Sequence, residues 1–244
     1  MTKYLLLCII SISAFAHDHR PESNQDFSQN IELTSFFQLE DFKVKFKISN
    51  SNKYSSNQQS YLIGSYYLIS KFDKIGFFAS FENGNRYSND WIIENSKWKW
   101  IDTSNRQETL YHFVYSKKIK SSEMPLMYEF HHTYLINQFN NHSTFILKPS
   151  LHYFYFNDGV ISYSIRVELP LYFALNYDEN GLYKKGIYLS SIKHLNKELS
   201  MALTFKYLEE TWVDSEDSLR LRPTQPYEVT DQSTSLGFNI IYSI

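Results

Sequence analysis

Charged and hydrogen-bonding residues recur at alternate positions along apolar stretches of this chain. Lys43, Lys45 and Lys47 alternate with Phe42, Val44, Phe46 and Ile48, and Arg166 and Glu168 alternate with Ile165, Val167 and Leu169. The same spacing joins Glu129, His131 and Thr133, then Lys148, Ser150 and His152, and, with Ala202 in the intervening place, Ser200, Thr204 and Lys206. Residues two apart share one face of a strand. Two chemistries suit such faces. Cations gathered on one surface attract and pass anions. Acids and bases brought into a water-poor interior must pair, because an isolated buried charge is too costly. Pairing into a structural network with Glu129 and Glu168 is the favoured expectation. The alternative is a positive ladder of Lys43, Lys45, Lys47, Lys148, Arg166 and Lys206 that favours anionic solutes.

Other chemistry is thinner. Cleavage after Ala16 would expose His17-Asp18-His19. A free amine with a histidine at position three can wrap Cu²⁺ or Ni²⁺ in square-planar nitrogen ligation, so His17 and His19 are the only metal candidates. The simpler reading is a solvated polar tail. His131-His132 and His142-Ser143 invite a hydrolase reading. Neighbours on a strand face opposite ways, so the two histidines cannot act together, and no third group orients a base. Glycine-rich phosphate loops and Cys/His zinc spacing are absent from the sequence. The expectation is a protein without catalytic residues or a cofactor.

The elements that position these faces are strands. From Ile161 to Leu175 every odd residue is apolar or aromatic, while the even ones include Ser164, Arg166 and Glu168. A soluble strand runs about 5–6 residues, and a strand crossing a bilayer needs roughly 9–11. Further strands are predicted at about Ile31–Ile48, Tyr61–Phe72, Ile75–Glu82, Glu108–Lys118, Leu126–Leu135 and Thr144–Phe156, then Leu182–Leu195, Glu198–Glu209 and Thr230–Ile244. Leu39-Glu40-Asp41 is either a bulge within the first strand or a break between two. Asn157-Asp158-Gly159 is a hairpin turn. Short connections alternate with longer ones that include Ser49–Ser60, Asn83–Gln107 and Val213–Val229. That alternation is expected of outer-membrane barrels. The fold class read from this is all-β: a transmembrane antiparallel up-and-down β-barrel of about 10 strands. It would have 12 if Trp91-Ile92-Ile93 and Trp98-Lys99-Trp100-Ile101 form another hairpin. An even count places both chain ends on the short-turn side.

Residues 1–16 carry one lysine, a short apolar run and Ala14-Phe15-Ala16, the pattern of a secretory signal peptide. Removing them removes Cys8, the only cysteine, so disulfides play no part. Residues 17–30 read as a flexible periplasmic tail and residues 31–244 as the barrel. With 24 basic and 26 acidic residues, no basic excess suggests a nucleic-acid partner. Twenty tyrosines and nineteen phenylalanines suit the aromatic girdles of a membrane barrel. A soluble periplasmic ligand-binding β-protein is the rival for the same composition.

The last nine residues place Leu236, Phe238, Ile240, Tyr242 and Ile244 on one face after Gly237. This ending resembles the C-terminal assembly signal of bacterial outer-membrane β-barrels, although Ile244 stands where phenylalanine is usual. The resemblance implies outer-membrane location, contact with lipid and lipopolysaccharide, and delivery through the barrel-assembly machinery by the final strand. It also implies small solutes as cargo for a porin-like barrel. A barrel enzyme acting on lipid or lipopolysaccharide is the other activity such a scaffold could carry.

Overall fold

The computed structural model describes residues 25–53, 56–86, 91–94, 97–100, 104–176, 181–213 and 228–244. The expected signal peptide, His17 and His19 lie outside the described residues. The chain forms strands β1 (Gln25–Leu39), β2 (Phe42–Lys53), β3 (Ser56–Leu68) and β4 (Asp73–Arg86). A small hairpin follows, β5 (Trp91–Glu94) with β6 (Lys97–Trp100). Next come β7 (Ser104–Lys120), β8 (Leu126–Asn137), β9 (Ser143–Asn157), β10 (Val160–Glu168) and β11 (Leu171–Ala174). The last three are β12 (Leu182–His194), β13 (Leu199–Val213) and β14 (Glu228–Ser243).

All except β5 and β6 belong to one sheet that closes on itself. β10 and β11 lie end to end between β9 and β12, so the ring has eleven positions. Two features of the chain set that number. Glu40 adopts a positive φ of 51° and turns the chain between β1 and β2, which pair antiparallel with Leu39 opposite Phe42. The stretch Ile31–Ile48 is therefore two strands and not one. The β5–β6 hairpin forms its own two-stranded sheet and adds nothing to the ring, which corrects the twelve-strand alternative.

An odd ring of alternating strands must join its first and last members in parallel. β1 and β14 do so, with Leu33 level with Ile240 and Ile31 level with Phe238. The barrel is thus mixed and not wholly antiparallel. The chain ends fall on opposite rims, against the expectation of a shared one. Ile244 sits where β1 ends, its amide donating to the Phe36 carbonyl and its carbonyl accepting from Gln38 (both 2.9 Å). Gln25 sits at the other rim, level with Gln232. Residues 25–30, expected as tail, are the first part of β1.

The connections 40–41, 69–72, 121–125, 158–159 and 195–198 all lie on the rim that holds Ile244. The opposite rim holds the strand ends Lys53, Arg86, Asn137, Ala174 and Val213. Ser49–Ser60, expected as a loop, is almost entirely strand. Asp158 and Gly159 have φ of 50° and 77°, as a tight two-residue hairpin with positive φ at both centres requires.

The stave containing Arg166 is interrupted at Leu169-Pro170. Pro170 has no N–H to give the ladder. Its carbonyl still accepts from Gly186, and Leu169 donates to the Pro149 carbonyl, both at 3.0 Å. The alternation of faces continues through the break.

Candidate lumen site

Register and burial divide the residues into two faces. The outer positions carry large apolar side chains in contact with the surroundings: Leu203 is 51% exposed, Leu189 46% and Phe77 47%. The inner positions hold Ser116, Ser80, Thr34, Ser164, Ser190 and Glu129, all buried. Among the described residues five hydrophobic side chains are buried and twelve polar or charged ones are, while forty large apolar side chains are exposed. A water-soluble core has the reverse distribution.

By register and burial, the ten residues expected to line the lumen lie on the same face of their strands as the buried polar residues. Glu129 is the centre of one cluster. Register puts it beside Ser150 on β9 and Lys118 on β7, and only 5% of it is exposed. The Ser116 hydroxyl donates to it at 2.6 Å. Lys74 stands 3.5 Å away, His152 3.4 Å and Arg166 3.6 Å. Desolvating a carboxylate costs several kcal/mol, and these partners offset it. Arg166 also reaches Glu168 at 3.0 Å, and Lys148 reaches Glu168 at 3.7 Å. His152 shares its Nε2 with Ser150 at 3.1 Å. The serine and the acid thus approach the same ring nitrogen, which is not the relay of a hydrolytic triad.

A second cluster lies across the parallel seam. Glu32 of β1 takes Lys47 of β2 at 2.9 Å and Lys206 of β13 at 3.4 Å. Asn239 of β14 donates to the same carboxylate at 3.4 Å. A third, toward the other rim, pairs Lys184 with Glu210 at 3.0 Å, and beside it the Tyr172 and Tyr188 hydroxyls meet at 3.1 Å.

The remaining candidates are placed differently. Lys43 and Lys45 stand over the Phe36 ring, 4.5 and 5.7 Å from its centroid, and make no ion pair among the described residues. His131 points inward beside Lys148. His132 points outward between Tyr115 and Phe145, with ring centroids 6.0 Å from each. It forms part of an aromatic depression of about 610 Å³ on the outer face.

Sequence reasoning missed Glu32, Lys74 and the apolar part of the interior. Glu32 lies in the half of the first predicted strand that lacks strict alternation, and Lys74 falls between the predicted strands Tyr61–Phe72 and Ile75–Glu82. On β3, β4 and β7 the interior holds Tyr66, Phe78 and Val114, with Leu62 against them. Tyr66 and Phe78 meet edge to face at 4.6 Å. A β-carbon at Gly64 would collide with the Phe77 carbonyl and the Phe78 ring, so glycine at that position makes room for the aromatic pair. The inward glycines are the one signal that could have shown this.

Acids and bases differ in their access to the lumen. Glu32, Glu129 and Glu168 have side chains 12%, 7% and 10% exposed. Lys47, Lys148 and Arg166 are each 27% exposed. These acids are more deeply covered than the cations that pair with them. Among the described residues no three His, Cys, Asp or Glu side chains gather as a metal site. No family model, curated protein or solved structure matches the chain, so the functional reading rests on this geometry.

Proposed function

We propose that this chain is a membrane-spanning barrel of the bacterial outer membrane whose lumen is a narrow passive passage favouring small anions. The inverted distribution of polarity carries the reading. Forty large apolar side chains are exposed among the described residues, most of them on the outer face; that far exceeds what a monomer leaves in water, and hydrocarbon is the surrounding that makes them stable. The long strands, the leader-like first sixteen residues and the final strand's pattern support the outer membrane in particular.

Passage follows from width and charge. A ring of eleven falls between barrels of about eight strands, filled by side chains, and those of sixteen, which hold a channel. Tyr66 and Phe78 narrow one side. On the other, wall-held acids and lumen-facing cations leave a positive accessible surface. A field of that sign raises the local concentration of anions and repels cations.

Purified full-length protein, folded in detergent and added to planar bilayers, tests this. Small conductance steps with a reversal potential shifted toward the anion are expected. Silent bilayers or cation selectivity would contradict the passage, and recovery from cells without detergent would contradict the membrane barrel.

A further inference from the structure

The middle of the lumen holds more positive charge than its acids absorb. Glu32 serves Lys47 and Lys206, Glu129 serves Lys74 and Arg166, and Glu168 serves Lys148 and again Arg166. Lys43 and Lys45 remain without an acid among the described residues. Phe36 steadies them both from one side by cation–π contact. The charges acting most strongly on Lys45 are the cations Lys47, Lys148 and Lys74 and, with the opposite sign, Glu32. β2 and β9 stand five places apart in a ring of eleven, so Lys45 and Lys148 project from facing walls. Two inward histidines flank them. His112, hydrogen-bonded to Ser80 at 2.8 Å, feels Lys45 and Lys148. His131 feels Lys148, Lys74 and Arg166, and Glu129 with the opposite sign.

A second observation points the same way. Arg166 Nε is buried and has no hydrogen-bond partner among the described residues, although the guanidinium's Nη2 reaches both Glu129 and Glu168. A buried charged donor left without an acceptor is costly. Like charges facing each other across a narrow space are costly too. One guest relieves both.

We propose that the mid-lumen is a binding site for a small anion carrying two negative charges, such as phosphate or a short dicarboxylate, held between Lys45 on β2 and Lys148 and Arg166 on the opposite wall. A singly charged ion such as chloride meets one ammonium, while a doubly charged one neutralises both walls. The inference deepens the anion-favouring passage proposed above and names its preferred guest.

Calorimetric titration of the full-length protein in detergent with phosphate, malonate and chloride, at constant ionic strength, tests it. Saturable binding of phosphate and malonate but not chloride is expected. Lys45→Gln and Lys148→Gln should each weaken it roughly tenfold, the scale of one charge-assisted hydrogen bond. Lys193→Gln, at an exposed outward position, should change nothing. Lys45→Arg keeps the charge and should keep binding. Should a glutamine variant not fold, acylation of lysines in the unaltered protein gives the same answer. Phosphate should slow reaction at Lys45 and not at Lys193. Absence of saturable binding, affinity in Lys45→Gln and Lys148→Gln unchanged from the unaltered protein, or unprotected Lys45 would overturn the site. The bilayer experiment is independent. A protein that binds phosphate in silent bilayers keeps the site and loses the passage, and one that conducts without saturable binding does the reverse.

Discussion

On β3, β4 and β7 the interior is closed by Tyr66, Phe78, Val114 and Leu62. On β8, β9 and β10 the corresponding inward positions hold Glu129, His152, Arg166 and Glu168. The two walls fill similar space with opposite chemistry. The apolar wall is held by shape, and its members are largely exchangeable for others of similar volume. The ionic wall is held by reciprocity. Glu129 is tolerable at 5% exposure only because Ser116, Lys74, His152 and Arg166 surround it, and those cations depend on it in turn. Packing sets the width of the lumen on one side, and paired charge sets its sign on the other.

The largest effect is expected from an isosteric change on the ionic wall. Glu129→Gln preserves volume yet leaves Lys74 and Arg166 short of a counter-charge, and we expect a loss of about 3–5 kcal/mol in urea unfolding from lipid vesicles. The outer face of the same barrel comes next. Leu203→Arg, at a residue 51% exposed, should cost about 2–4 kcal/mol in the same assay, whereas water would tolerate it within about 0.5 kcal/mol. On the apolar wall, Gly64→Ala forces a β-carbon into the Phe77 carbonyl and the Phe78 ring and should cost about 1–3 kcal/mol. Phe78→Leu, which keeps an apolar filler, should cost about 1.5 kcal/mol. If Phe78→Leu proved as damaging as Glu129→Gln, the distinction between the walls would fail.

Much of this was legible in the residues, and the failures have physical causes. Period-two alternation located nearly every stave, because one side of each strand is greasy and the other polar. It also groups Lys43, Lys45, Lys47, Lys148 and Arg166 on the polar side of their strands, the side on which the buried serines and threonines lie. The count failed at Glu40, where one residue in a positive φ makes a turn without the usual glycine or asparagine. That one residue changed ten to eleven, made the seam parallel and separated the chain ends. Pro170 was absorbed into a continuous strand for a related reason, since the faces alternate straight through the ladder's interruption. Tyr66 and Phe78 were not foreseen as lumen residues because an aromatic on a barrel strand reads as outward. Their space comes from Gly64 and Gly76, which belong to neighbouring positions. The partners of Glu129 come from β4, β7, β9 and β10, and a pattern along one strand carries no information about what lies across the ring.

Central to the account is that the apolar outer face lies in hydrocarbon. A nitroxide spin label on Leu203→Cys, in protein reconstituted into lipid vesicles, reports this directly through its collisions with oxygen and with a water-soluble nickel complex. Ready collision with oxygen and little with nickel is expected, as for a site within the acyl chains. Collision with nickel as frequent as at an aqueous loop would contradict it.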